Sequence, residues 1–232
     1  MSTASPPLRR GGPALALIAA AQFMVIMDTS IIGVALPQMQ RDLGFSPHNL
    51  SWVFNAYVIA FGGLLLLGGR LSDLFGARRM FSLGWLVLLV GSVISGAAGG
   101  VAVELTGRAV RGLGSALIAP SALTLLMMLF GAEPKQLTRA LAVYGAAAPA
   151  GGTAGVFLGG VITQYLSWPW VFYLNVPVAV LALIATPALL PAAGRRPGSV
   201  DVLGAVTVTA GIATRCTGSS GHPRSAGPRR KP

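Results

Sequence analysis

The amino-acid sequence predicts an all-α membrane protein with six transmembrane helices and part of a seventh. Its 232 residues are 53% hydrophobic and only 10% charged, whereas a soluble domain carries roughly a quarter charged residues. The mean hydropathy is +0.71. Apolar runs of about twenty residues, the length that crosses a bilayer, recur along the chain and are separated by short polar segments. A bundle of membrane-spanning helices accounts for all three observations.

Six runs are long enough to span. They cover residues 14–36, 50–68, 80–98, 101–130, 137 or 141 to 162, and 168–190. The first run follows Arg9 and Arg10 and contains small residues, as a secretory signal does, but it stays apolar up to Pro37, which favours a span. The fourth run is longer than a bilayer needs, which predicts a tilted or protruding helix.

The segments outside these runs are polar or short. Residues 1–13 are predicted to be a disordered cytoplasmic lead, 14–190 a six-helix transmembrane bundle, and 191–201 a cytoplasmic loop. Residues 202–214 form a seventh apolar run too short to cross, and 215–232 a disordered basic tail. An interrupted span continued by such a tail is what a truncated or frame-shifted product would show. An uninterrupted seventh span in another reading frame would support that expectation.

The distribution of basic residues predicts the orientation. Loops on the cytoplasmic side of membrane proteins are enriched in Lys and Arg. With the N-terminus inside, the opposite side holds only Arg41. The cytoplasmic side then holds Arg9, Arg10, Arg70, Arg78, Arg79, Lys135, Arg139, Arg195 and Arg196. We therefore expect a multi-pass protein of the cell (plasma) inner membrane with a cytoplasmic N-terminus.

Composition also argues against several other functions. The formal charge of +11 would suggest a nucleic-acid partner in a soluble protein, but these charges lie in short loops and in the tail, so none is expected here. Cys216 is the sole cysteine, and His48 and His222 lie far apart. The sequence therefore predicts no metal site, no cofactor and no enzymatic activity.

Asp28 lies inside the first predicted span, where an ionisable group costs about 3 kcal/mol. Such a group usually faces a cavity or a partner, and burial favours the neutral form of a carboxyl group. Asp28 is therefore a candidate proton carrier or binding group for substrate charge. The alternative is a hydrogen bond that only packs helices and never titrates.

Three charged residues share one face at the start of the fourth span. Glu104, Arg108 and Arg111 are separated by four and three residues, which places them together on a helix. Glu104 and Arg108 could simply neutralise each other near the interface. However, Asp28 and Arg108 both fall about 20 Å from the inner membrane surface at 1.5 Å per residue. We therefore expect them to meet, and all four residues are candidates for proton coupling or for binding substrate charge.

Two glycine patterns are also informative. Gly151, Gly155 and Gly159 recur every four residues in the fifth span, with Gly160 beside them, and predict close helix packing or a gating contact. Residues 69–79 form a short charged segment with Gly69 and Gly76 between the second and third spans. We expect this segment to be a hinge.

Five segments together resemble the N-terminal half of a major facilitator superfamily transporter, in the fourteen-span drug:proton antiporter branch (EmrB/QacA-like). They are residues 27–37, residues 69–79, Arg108 with Gly112 and Gly114, residues 155–160, and residues 168–170 with 175–177. The resemblance implies that residues 69–79 form a cytoplasmic gate motif. In that motif Gly69, Asp73, Gly76, Arg78 and Arg79 latch the cytoplasmic side, Asp73 acting with a helix of the second half. Arg111 stands where the family commonly has glutamine.

The resemblance implies a secondary active transporter, and proton-coupled efflux of small drug-like or cationic compounds is the function we expect. Its partners would be the lipid bilayer, protons and a small-molecule substrate, together with a second half-transporter if that half is a separate chain. Two alternatives stay open. The chain could be a non-transporting fragment or the membrane partner of another half, or it could be an uncoupled facilitator or uptake carrier.

Overall fold

The computed structural model describes residues 11–46 and 49–192. The predicted loop at 191–201 lies almost entirely outside the described residues. The partial seventh span, the basic tail, His48 and most of the predicted lead also lie outside them.

Seven helices make up the described part of the chain, which contains no strand. They are α1 (Gly11–Leu43), α2 (Trp52–Phe75), α3 (Ala77–Gly96), α4 (Val101–Phe130), α5 (Pro134–Tyr165), α6 (Trp170–Tyr173) and α7 (Asn175–Leu189). Because α6 and α7 together form one apolar stretch, Trp170–Leu189, six helical segments are long and apolar enough to cross a membrane. The predicted all-α membrane fold with six spans is confirmed.

Helix α1 is longer than the apolar run that predicts it. It begins at Gly11, inside the predicted lead, and continues through Pro37 to Leu43. Pro13 is tolerated because the first N–H groups of a helix have no partner within it. Pro37 removes a backbone hydrogen bond, but the next turn is held by the fully buried Met39. Tertiary packing therefore extends the helix past Pro37, where the sequence predicts its end.

The expected hinge at residues 69–79 is almost entirely helical. Helix α2 continues to Phe75 and α3 begins at Ala77, so Gly76 alone joins them. Gly76 has φ +95°, a region that side-chain-bearing residues rarely adopt, and its N–H donates to the Ser72 carbonyl at 3.0 Å. The prediction of an eleven-residue hinge was wrong in extent, because one glycine can turn the chain without interrupting the helices on either side.

Helix α4 lies at the centre of the bundle, packed against α3 and α2, while α1 packs along α5. Glycines allow these helices to approach closely, as in many membrane proteins. A Cβ at Gly114 would lie 2.7 Å from the Leu88 backbone nitrogen, and one at Gly155 would lie 2.8 Å from the Met27 carbonyl oxygen. Contacts between α4 and α1 bring the two groups of helices together.

The predicted glycine stripe of α5 is part of the α1 contact, with one exception. A Cβ at Gly151 would overlap the Phe23 carbonyl, and one at Gly159 would lie 3.1 Å from Ile31. A Cβ at Gly160 would meet no atom within 4 Å. The structure therefore places Gly160 outside the helix contact.

Candidate functional site

Asp28 lies in the middle of α1 and is fully buried. The two polar residues after it do not compete for its carboxylate. Thr29 and Ser30 both donate their hydroxyls to the carbonyl of Ile26, one turn back on the same helix, at 2.7 and 3.2 Å. The Asp28 carboxylate is thus available to partners on other helices.

Two arginines of α4 contact this carboxylate. Arg108 Nη1 donates to Asp28 Oδ2 at 3.3 Å, and Arg111 Nη2 forms an ion pair with Asp28 Oδ1. All three side chains are 0% exposed. The structure therefore brings Asp28 and Arg108 together, as their similar depths predict, and adds Arg111 to the same carboxylate.

Aromatic rings and a backbone carbonyl hold the two guanidinium groups. Arg108 Nε donates to the Val53 carbonyl at 3.0 Å, and its guanidinium carbon lies 4.7 Å from the centre of the Tyr57 ring. The guanidinium carbon of Arg111 lies 4.7 Å from the centre of the Phe172 ring. Such cation–π contacts stabilise a desolvated arginine by about 2 kcal/mol or more. Helices α2 and α6 therefore help to position the cations.

Glu104 completes what we call the charge cluster: Asp28, Glu104, Arg108 and Arg111. Its side chain is fully buried one turn before Arg108. Arg108 is its charged neighbour and Ser95 of α3 its neighbouring hydroxyl. Within the described part of the chain, however, neither Glu104 oxygen has a partner with hydrogen-bond geometry. Glu104 differs in this respect from Asp28, which has two cationic partners.

The charge cluster brings two carboxyl groups and two guanidinium groups together in the buried interior of the bundle. Removing one partner from a buried ion pair is strongly destabilising, because the remaining charge has no solvent. A change in protonation at either carboxyl group would therefore alter which residues the arginines bind. The arrangement can hold a proton, exchange it against a cation, or respond to a charged ligand.

The residues of the expected gate motif lie at the junction of α2 and α3, and the structure does not join them into one contact. Arg78 is partly buried and its Nη1 donates to the Leu190 carbonyl at 3.3 Å, just beyond the end of α7. Arg79 is exposed and Asp73 is partly buried. Among the described residues, Asp73 forms no ion pair with Arg78 or Arg79.

The close-packed glycine of this motif is a neighbour of the one we predicted. A Cβ at Gly69 would lie 3.7 Å from Pro120 Cβ, an ordinary contact. A Cβ at Gly68 would overlap the carbonyl group of Ala116 on α4. Sequence reasoning missed Gly68, and a Gly-Gly pair in a helix does not reveal which member faces a neighbour.

Tyr57 and Phe172 were also missed. Both are aromatic residues within apolar runs, which are common in any transmembrane helix, and no spacing in the sequence connects them to residues 108 and 111.

In the described ranges, no three His, Cys, Asp or Glu side chains come together as metal ligands would.

Comparison with known proteins identifies the family to which the chain belongs. The model of the Major Facilitator Superfamily matches residues 18–215, and the chain belongs to this family. The family consists of multi-pass membrane transporters, so the chain is a transporter-family protein and not an enzyme.

Its relatives include export and resistance proteins of Amycolatopsis and Streptomyces species. The chain is 44% identical over 210 residues to the cephamycin export protein CmcT of Amycolatopsis lactamdurans, covering 89% of this chain and 43% of that protein. It is 46% identical over 177 residues to the puromycin resistance protein pur8 of Streptomyces alboniger, covering 76% and 35%. It is 36% identical to the tetracenomycin C resistance and export protein of Streptomyces glaucescens, covering 86% and 37%. The chain thus spans about two fifths of the length of these relatives.

Solved structures agree on the fold. The peptide transporter POT in complex with sulfate superimposes with a TM-score of 0.71 at 15% identity, over 89% of this chain and 45% of that one. The POT family transporter PepTSo superimposes with a TM-score of 0.71 at 16% identity, over 84% and 40%. At such low identity the likeness concerns the fold alone.

Proposed function

We propose that the chain forms the N-terminal half of a proton-coupled exporter of small, drug-like organic compounds. The names of the relatives support export, since three of them are described as antibiotic export or resistance proteins. The charge cluster supports coupling, because a buried carboxylate that binds two arginines from another helix links proton uptake to helix contacts.

In this proposal Asp28 is the proton carrier. When Asp28 is charged, Arg108 and Arg111 hold α4 against α1. Protonation removes the charge and leaves both arginines without their partner, which weakens the α1–α4 contact. Major facilitator transporters move by rocking two halves around a central site. A proton at Asp28 would therefore favour one of the two orientations, and a cationic substrate that displaces an arginine would compete with it.

The proposed orientation places the N-terminus and the Gly76 junction in the cytoplasm of the cell that carries the protein in its plasma membrane. It rests on the nine basic residues that then lie on one side against Arg41 on the other. In this orientation Asp73, Arg78 and Arg79 line the cytoplasmic end, where the gate motif would close against a second half.

A second candidate function is that of a membrane partner for a separate second half. Helix α5 favours it, since only a small part of its most apolar segment is buried within the bundle. Val156 and Phe157 of that helix are exposed. An apolar face of this kind can contact lipid or another bundle. An uncoupled facilitator is the third candidate and differs from the first in needing no titration of Asp28.

The test is transport by the purified chain in proteoliposomes loaded with a fluorescent cationic dye. A flux that follows an imposed pH gradient, and that Asp28→Asn abolishes, would support proton-coupled transport by the chain. Asp42→Asn is the matched control, because Asp42 is exposed on the same helix. Flux without a gradient would favour the facilitator. No flux until a second half from a relative is added would favour the partner function.

A further inference from the structure

We propose that Glu104 is a second proton-binding carboxyl group, and that Arg108 alternates between Asp28 and Glu104. This inference deepens the proposed function and rests on it for its role in transport, whereas the exchange itself can be observed without transport.

The unpaired atoms around Arg108 are complementary. In the described structure, Arg108 Nη2 is a buried donor without a partner, and both carboxyl oxygens of Glu104 are buried acceptors without one. The two side chains are four residues apart on α4 and lie on one face of that helix. Buried polar atoms normally have partners. We therefore interpret these contacts as one of two arrangements: in this one Arg108 is turned towards Asp28, and in the other it is turned towards Glu104.

Arg111 makes the exchange possible. It contacts Asp28 independently of Arg108, so Asp28 keeps a cationic partner when Arg108 turns away. A neutral side chain at this position would lack that charge.

The two arrangements differ by one proton and therefore by one unit of charge. With Arg108 on Asp28, Glu104 carries its proton, and its O–H group can donate to the buried hydroxyl of Ser95, its neighbour on α3. When Arg108 turns to Glu104, the O–H bond breaks and the proton leaves to water, so a carboxylate remains opposite the guanidinium. The cluster then holds two cations and two anions.

The position of Glu104 near the start of α4 suits a proton-binding role. Glu104 lies three residues after the start of α4, about 4.5 Å along its axis at 1.5 Å per residue. It is thus the member of the cluster nearest the helix end, which shortens the route of the proton to solvent. The first turn of a helix also favours negative charge, so the carboxylate form of Glu104 can be reached.

The groups around Glu104 limit what else could set its protonation. Arg108 and Arg111 lie on its own helix, Ser95 faces it from α3, and Asp28 of α1 and Tyr57 of α2 reach it through Arg108. Asp28 is the one other carboxyl group in the cluster. A change in the charge of Asp28 should therefore change the protonation of Glu104.

The chain offers a clean experiment because its only glutamates are Glu104 and Glu133. The full chain in lipid nanodiscs, labelled with carbon-13 in glutamate alone, is followed by infrared spectroscopy across a pH titration. We expect a carbonyl band of a protonated glutamate that moves with the label. Glu133→Gln should leave this band unchanged, since Glu133 is exposed, and Glu104→Gln should remove it.

The decisive variant is Asp28→Asn. It frees Arg108, which then binds Glu104, so the glutamate band should be lost at the pH at which the wild-type chain shows it. A band that is absent from the wild-type chain, or that Asp28→Asn leaves unchanged, would overturn the exchange. Should Glu104→Gln not fold, Asp28→Asn and Ser95→Ala still test the proposal, since both retain Glu104.

The result of the infrared titration can be distinguished from the result of the transport assay. If the band behaves as expected while the chain moves no dye, the exchange holds and the transport proposal fails. If dye transport follows the pH gradient while the band is missing, Asp28 couples alone and Glu104 has a structural role.

Discussion

Arg108 of α4 and Asp28 of α1 meet through Nη1 and Oδ2 at 3.3 Å, although 80 residues separate them along the chain. Neither is exposed, and Arg111 shares the same carboxylate. The contact between α1 and α4 therefore depends on charges that have no access to solvent.

Replacing Asp28 by alanine should destabilise the chain by about 3–5 kcal/mol, because it leaves two buried guanidinium groups without their anion. The double change Asp28→Ala with Arg108→Ala should cost less than the sum of the two single changes. Equilibrium unfolding in detergent measures both. Asp42→Ala serves as the control, and additive costs for the pair would show that the two residues do not interact energetically.

Adding a methyl group at Gly155 should weaken the packing of α5 on α1. The new Cβ would lie 2.8 Å from the Met27 carbonyl oxygen, and overpacking of this kind costs about 1–3 kcal/mol. Gly160→Ala, where no atom lies within 4 Å, should instead raise the unfolding free energy by up to about 1 kcal/mol, because alanine is the better helix former. Equal effects of the two substitutions on thermal unfolding would contradict the close contact.

The two glycines of the gate motif should respond in opposite ways. Gly76→Ala forces a side chain into positive φ and should cost about 1–3 kcal/mol. Gly69→Ala lies inside α2 beside ordinary contacts, and alanine is the better helix former by about 1 kcal/mol. Unfolding midpoints of the two variants should therefore shift in opposite directions, and a loss at Gly69 as large as that at Gly76 would argue for a wider hinge.

The orientation is testable with single cysteines. After Cys216→Ser, Asn49→Cys in the connection between α1 and α2 should react with a membrane-impermeant maleimide on intact cells. Glu133→Cys, between α4 and α5, should react only after lysis, because the positive-inside rule places it in the cytoplasm. Both positions are exposed in the fold, so burial does not explain a difference. The reverse labelling pattern would invert the topology.

Much of the fold was predictable because a membrane imposes simple rules. A run of about twenty apolar residues has to be a helix, since its backbone groups find no water. The start of α4 at Val101 and its end at Phe130 agree with the predicted run. The meeting of Asp28 with Arg108 was also predictable, because each residue advances a helix by a constant rise.

Other features depended on contacts between helices. Residues 70–75 carry charges and were predicted as a loop, yet α2, which packs on α4, continues through them to Phe75. The same contact selects Gly68 rather than Gly69 as the position without room for a side chain.

The sequence by itself determined that the chain is a bundle of six membrane-length helices with charged residues inside, because hydropathy, span length and helical rise are local properties. Only the tertiary structure decided which arginines Asp28 binds, that Tyr57 and Phe172 cover them, and that Glu104 is left without a hydrogen-bond partner among the described residues. The physical reason is that the partners of a buried charge are set by how neighbouring helices rotate and cross. Rotation and crossing depend on side-chain packing along whole interfaces, which no single segment encodes.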